Sequence, residues 1–331
     1  MGRRDSPHDK LFGEAFASRT AVRGLLKSLL PASLLARLDL SRLKAVPGTF
    51  VDEALAGSQS DLLFSARYAG RPAFIYFLLE HKSSVERWVA LQLLRYIIRI
   101  WERALSARPR PTTLPLVIPL VLYHGESEWT APLDLWSLLD PVVREDPVLG
   151  RLTPRFEYLV DDLTQATDEE LIARAMGLFA GIAAIFMRDA RVPKRVVPMV
   201  KRVGSMLGEL WKAPGGPRAV AILLRYLWLV ADVNEDDVVA VVQSSLPQAK
   251  ELIMTIAERL RQEGRKEGRK EGRKEGVRVE RVRTLRRLLE LRFGVLDAAT
   301  VRRLESLREA ELETSIERVL TARTPHEVLS Y

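Results

Sequence analysis

The stretch "FIYFLLEHKSS", Phe74 to Ser84, decides how the chain is read: an almost wholly apolar run leads straight into Glu80, His81 and Lys82. Side chains alternate along a strand, so a strand ending here sets Glu80 and Lys82 on one face and turns His81 to the other. Just upstream, "SDLLFSARY" is a second short, strand-like segment, and "AGRP" separates the two, which predicts a hairpin turning at Gly70. In such a hairpin the start of one strand lies near the end of the other, so Asp61 and Glu80 can meet. The segment "TFVDEAL" reads as a third strand ahead of them.

Working outward, "VERWVALQLLRYIIRIWERAL" predicts a helix over Val85 to Leu105, with Trp88, Leu91, Leu94, Ile98 and Trp101 on one apolar face. "PLVIPLVLYHG" reads as a buried strand ending in Gly125, and "RFEYLVDDL" as a short further strand. Ahead of the sheet, apolar spacing over Asp9 to Leu38 predicts two helices with a break near Pro31. Helices, an antiparallel meander, a helical crossover and another strand describe an α/β core. From about Asp168 to Leu260 the periodicity is helical.

The totals fit a folded chain and remove several chemistries. Hydrophobic residues are 47% and charged residues 28% of 331, enough to bury a core. The absence of cysteine excludes a disulfide framework, thiolate-bound zinc and a thiol nucleophile, and suits a reducing cytoplasm. The N-terminus is basic but no apolar stretch comes after it, so secretion is not expected. "LPLVIPLVLY" is too short and too rich in proline for a membrane span, and none is expected. A net charge of +8 favours a polyanion such as nucleic acid as partner.

Asp61, Glu80 and Lys82 at one sheet end form a set with a use. Two carboxylates are hard oxygen ligands for magnesium or manganese, and a lysine beside them can stabilise negative charge on a phosphate or orient water. A solvated strand end competes with this reading. Gln92 and Tyr96, four apart on the helix, share a face; the amide of Gln92 either bonds a neighbour or holds the water or a phosphate oxygen. His81 turns away from this set, His124 is expected to make a structural hydrogen bond, and no histidine pair has zinc-ligand spacing. No phosphate-binding loop, dinucleotide fingerprint or serine elbow is found.

Residues "SDLLF", "EHK" and "QLLRY" resemble the signature of the PD-(D/E)XK nucleases, with the glutamine-tyrosine helix of their RecB-like members. Together with "HDKLFGEAF", "FVDEAL", "LRYIIRIWE" and "PLVIPLVLYHG", they resemble more closely the recombination-promoting nucleases, also labelled YhgA-like transposases. The resemblance covers roughly the first 260 residues. It implies a restriction-endonuclease-like core with a mixed central sheet, and a DNA endonuclease dependent on Mg2+ or Mn2+ and linked to recombination or mobile elements. It assigns Asp61 and Glu80 to the metal, Lys82 to the water and Gln92 to an accessory role. Ser60 departs from the proline usual before Asp61. Asp9 and Glu14 compete for an additional acid from the first helix, and Asp52 is assigned to a strand end or turn. The C-terminal "LLELRFGVLDAATVRRLESL" resembles a small helical domain often appended to such proteins.

The expected organisation is a nuclease core over 1–165, a helical extension over 166–262, a linker over 263–276 and a helical module over 277–331. The linker is the repeat "EGRKEGRKEGRKEG", whose glycines each cost a helix roughly 1 kcal/mol. It reads as flexible or marginally helical, or alternatively as a self-association helix through which the chain forms a homo-oligomer. Two further readings remain open: an inactive nucleic-acid-binding accessory protein, and an oligomerising interaction protein.

Overall fold

Ser6 and Pro7 start the first helix. The Ser6 hydroxyl accepts from the Asp9 amide and the Asp9 carboxylate from the Ser6 amide, both at 3.1 Å, closing a capping box around α1 (Pro7–Phe16). Ser18 caps α2 (Arg19–Leu29), and a short α3 (Ala32–Leu35) comes after Pro31. The region expected as two helices is therefore three, with an additional break at Ala17 and Ser18. A computed structural model describes residues 6–46, 62–80, 85–106 and 111–330, with residues 76–80, 263, 267 and 271 described by their backbone. The expected strand "TFVDEAL" lies outside these residues, as do Asp52, Asp61, His81 and Lys82.

The sheet has the order β1 (Leu38–Val46), β2 (Leu62–Tyr68), β3 (Arg71–Glu80), β4 (Leu116–Tyr123) and β5 (Leu159–Asp162). Strand β1 is absent from the sequence-based expectation. Its register on β2 shifts between Asp39 and Lys44, where the Asp39 carboxylate accepts from the Ser41 amide and hydroxyl, and this irregularity interrupts the alternation that marks a strand. The predicted hairpin at Gly70 is present. Ala69 and Gly70 both have positive φ, 48° and 77°, as a two-residue turn between antiparallel strands requires, and Tyr68 pairs with Arg71 across it. Strands β3 and β4 run parallel, and so do β4 and β5. Pro119 lies inside β4, one residue before the ladder with β5 begins at Leu120, a position where a missing donor is tolerated.

A parallel pair needs a crossover, and α4 (Val89–Ser106) provides it. Alternation then sorts the sheet into two faces. Phe64, Ile75, Leu120 and Leu122 pack with Leu11, Phe12 and Phe16 of α1 and Leu25 of α2. Leu63 and Val121 pack with Val89, Ala90, Leu93, Tyr96 and Ile100 of α4. The face predicted for α4 is covered only in part: Leu94 packs against this cluster and Trp101 is half-buried, its indole donating to the Pro115 carbonyl at 2.9 Å. Trp88, Leu91 and Ile98 are exposed, at 51%, 38% and 42%, while the smaller stripe beside them is buried. Both stripes have helical spacing; only contact with the sheet selects between them.

Beyond α5 (Pro141–Glu145) and β5, the chain is helical as expected: α6 (Asp168–Ala173), α7 (Leu178–Asp189), α8 (Pro193–Lys212), α9 (Gly216–Val230) and α10 (Glu235–Ser245). Helix α7 is buried on all sides from Ala180 to Asp189, and these helices share one core with α1, α2 and the sheet. The chain divides into two compact units, Met1–Ile256 and Ala257–Tyr331.

Helix α11 (Lys250–Phe293) runs through the repeat as one helix. Buried Ile253 and Ala257 precede the repeat and buried Leu285 and Leu289 come after it, so the glycines extend helix that need not nucleate among them. In the second unit α12 (Ala298–Glu305), α13 (Glu309–Arg318) and α14 (Pro325–Leu329) close around Leu285, Leu304, Leu312 and Val328. Gly294 ends α11 with φ of 84°, and the Asp297 carboxylate caps α12 by accepting from the Thr300 amide at 2.7 Å; the sequence offers Gly294 as the stop and either Asp297 or Thr300 as the next start, and the cap falls on Asp297.

A buried charge network ties α6, α7 and α8. Arg188 donates to both oxygens of Asp189, to the Ala166 carbonyl and to Asp168, while Arg202 donates to Asp168 and Asp189 at 2.8 Å each. Burial pushes the Asp168 carboxyl up, but hydrogen bonds from Arg202 and Arg188 outweigh it and hold the carboxyl below its ordinary range. Asp168 thus contributes stability that is fully present above the unfolded carboxylate pKa and is lost as pH falls through the lower folded value. An acid titration followed by circular dichroism should show this loss setting in only below about pH 4, and Asp168→Asn should remove that component. Arg188→Met leaves the buried Asp189 without its main guanidinium and is expected to cost roughly 3–5 kcal/mol in urea unfolding.

Candidate active site at the end of the parallel strands

The last residue of β3, Glu80, pairs in register with Tyr123, the last residue of β4. Parallel pairing ends both strands at the same edge, so His124 and Gly125 leave the sheet at the end where Glu80 closes β3. Tyr123 is fully buried and stands edge-on to Trp129, with ring centroids 5.0 Å apart. Gly125 makes this possible, because a Cβ there would lie 1.9 Å from the Tyr123 hydroxyl. The first turn of α4 covers the same end: Val89 and Ala90 share a cluster with Leu63 and Tyr123.

On the opposite side α1 and α9 reach the same place. His124 is fully buried, and its ring lies against that of His8 on α1 with centroids 4.8 Å apart. His8 Nδ1 is 3.0 Å from the Tyr226 hydroxyl on α9. Burial drives the Tyr226 hydroxyl far above its ordinary pKa, so it stays protonated and able to donate. A cavity of about 530 Å³ between α1 and α9 is lined in part by Asp9, Lys10, Glu14, Arg225 and Tyr226.

Of the site residues expected from the sequence, Asp61 and Lys82 lie outside the described residues, and Glu80 is placed by its backbone. Leu62, the neighbour of Asp61, pairs with Phe77. Gln92 is half-buried and lines a shallow cavity of about 470 Å³ with Glu86, Trp88, Leu91 and Arg95. Tyr96 is buried against the sheet, on the other side of α4 from Trp88 and Leu91. Of the two competing acids, Glu14 pairs with Arg218 at 3.0 Å, whereas Asp9 closes the cap of α1 beside His8. Among the described residues no three of His, Asp and Glu are grouped to hold a metal.

Sequence reasoning missed His8, His124 and Tyr226 as a group. Each sits in a different part of the chain, and the one available signal is that "PHD" opens the first helix while "YHG" closes a buried strand.

A family model described as "Putative transposase, YhgA-like" matches residues 6–213. The chain belongs to that family. The matched region contains all five described strands with α1 and α4, while Tyr226 on α9 lies beyond it. Among relatives of this YhgA-like chain, recombination-promoting nuclease RpnA of Escherichia coli (strain K12) is 34% identical over 263 residues, 78% of this chain and 85% of the relative. Inactive recombination-promoting nuclease-like protein RpnE of the same strain is 30% identical over 260 residues, 78% and 83% of the two chains. Recombination-promoting nuclease RpnD of Escherichia coli O157:H7 is 28% identical over 259 residues, 78% and 95%. No solved structure matches.

Because Tyr123 is the register partner of Glu80, crowding it should disturb the whole sheet end. Gly125→Ala is expected to cost about 1–3 kcal/mol in chemical denaturation and to change the near-ultraviolet circular dichroism of the Tyr123–Trp129 pair.

Proposed function

We propose that this chain is a metal-dependent DNA endonuclease with a PD-(D/E)XK core, acting in recombination or on mobile DNA. One observation carries the reading: Glu80, the acid of "EHK", closes a parallel strand against Tyr123 in a chain 34% identical to a protein named a recombination-promoting nuclease. The order of α1, an antiparallel β1–β2–β3 meander, α4 and parallel β4 supports the same core.

In this reading Asp61 and Glu80 hold Mg2+, or Mn2+, since carboxylate oxygens are hard donors that suit these ions better than zinc. The bound ion supplies Lewis acidity towards the phosphate and a water of lowered pKa. Lys82 stabilises the negative charge that develops on the phosphate. Gln92 positions the water or a phosphate oxygen through its side-chain amide. The excess of 51 basic over 43 acidic residues favours the approach of a polyanion.

The name of RpnE supports a second reading, in which this chain keeps the fold and binds nucleic acid without cutting it. Purified protein with supercoiled plasmid and Mg2+ separates the two. Nicking that stops in the double variant Asp61→Ala, Glu80→Ala is the expected result, and nicking that persists in it would sink the assignment. Salt-sensitive binding with no nicking in Mg2+ or Mn2+ favours the accessory protein.

A further inference from the structure

Helix α4 has more apolar surface than the sheet covers. Trp88, just ahead of its first turn, and Leu91, Ile98 and Leu105 along it remain exposed, at 51%, 38%, 42% and 43%, although Val89, Leu93, Tyr96 and Ile100 already fill the side that packs on β-strands. An exposed tryptophan in this setting is unfavourable unless something covers it.

The neighbours of Trp88 indicate what that is. Its shallow cavity holds Gln92 and Arg95, with Arg87 exposed next to it in sequence. Neither arginine makes a side-chain hydrogen bond or ion pair among the described residues, whereas Arg99 is paired with Glu102 at 3.0 Å. Among the described residues Glu86 is the one carboxylate in the lining. A second copy of the chain docking by a two-fold axis would bring the same patch against itself and set arginine against arginine. A polyanion with flat apolar faces satisfies both parts of the surface: a nucleobase lies on the indole and a backbone phosphate meets the guanidinium.

Geometry narrows the ligand further. In a duplex each base is stacked on both faces, so a base can lie on Trp88 only where the strand is unpaired. The Trp88 to Gln92 turn leads into Val89 and Ala90, which pack beside Tyr123, the register partner of Glu80. A strand held on Trp88 is therefore held at the candidate cutting end.

We propose that Trp88, with Leu91 and the guanidinium groups of Arg87 and Arg95, forms a stacking platform for unpaired nucleotides, so that the protein binds single-stranded DNA beside its catalytic strand end. The platform adds a substrate class to the nuclease reading and rests on that reading for its purpose, but its test is run without metal so that either can fail alone.

The experiment measures fluorescence anisotropy of labelled DNA with the full chain in EDTA. A thymidine oligonucleotide is compared with a duplex of the same length and with an abasic strand of the same charge. The expected order is single strand tightest, with the abasic strand weakened. Trp88→Ala should weaken single-strand binding about 5- to 150-fold, the range for loss of one base stacked on an aromatic ring, while Trp88→Phe retains most of the affinity. Arg95→Gln should lower the slope of log K against log salt by about 0.7, the contribution of one phosphate contact on a single strand. Trp88 is half exposed, so the variants should keep the parent circular dichroism spectrum. Equal affinity for base-bearing and abasic strands, unchanged binding by Trp88→Ala, or a dimer that Trp88→Ala splits in light scattering would each overturn the proposal. Loss of plasmid nicking in Asp61→Ala, Glu80→Ala bears on the nuclease reading alone.

Discussion

The parallel ladder between β3 and β4, running in register from Ala73 and Leu116 to Glu80 and Tyr123, is the constraint on which the rest of the molecule depends. Two parallel strands cannot be joined by a tight turn, so the chain must cross the sheet between them, and α4 is that crossing. The ladder also brings both strands out at one edge. Glu80 at the end of one strand and Tyr123 at the end of the other, with the histidine-glycine pair after it, become neighbours in the fold only through this pairing.

The two faces of the sheet are completed differently. Helix α4 covers one face with a narrow stripe of medium-sized side chains, leaving Trp88 just ahead of it and its arginines outside. The other face is covered by α1 and α2, which are themselves held by α7, α8 and α9 in a continuous core. The later helices are therefore part of what positions the site. Tyr226 reaches His8, and through it the buried ring of His124, from a helix more than 200 residues away in the chain from α1. The buried guanidinium of Arg188 and the half-exposed one of Arg202 fasten the same helical layer through the carboxylates of Asp168 and Asp189. Removing one member leaves its partners desolvated, so the layer tolerates such changes poorly.

Much of the architecture was legible because it obeys local rules. The hairpin at Gly70, the buried strand ending at Tyr123, the helical run after Asp168 and the stop at Gly294 with its restart at Asp297 all carry turn, cap or periodicity signals. Features set by competition between local signals were not legible. β1 hides behind a register irregularity, and the repeat, costly as an isolated helix, is helical within α11 between buried flanking residues. For α4 the sequence offers two apolar stripes of equal period, and the one chosen, with two tryptophans, leaves Trp88, Leu91 and Ile98 exposed while Val89, Leu93, Tyr96 and Ile100 are buried.

By itself the sequence determined the α/β class of the fold, most of the segments that become strands and helices, and the charged ends at which chemistry is expected, since each depends on residues near one another in the chain. Family membership is likewise carried by the sequence, over residues 6–213. Only the tertiary structure decided which side of α4 is solvent-exposed, which first-helix acid is engaged by Arg218, and that His8, His124 and Tyr226 meet at the end of the sheet. These are contacts between elements far apart in sequence. Their existence depends on how the core closes, a property of the whole packed chain and of no single segment.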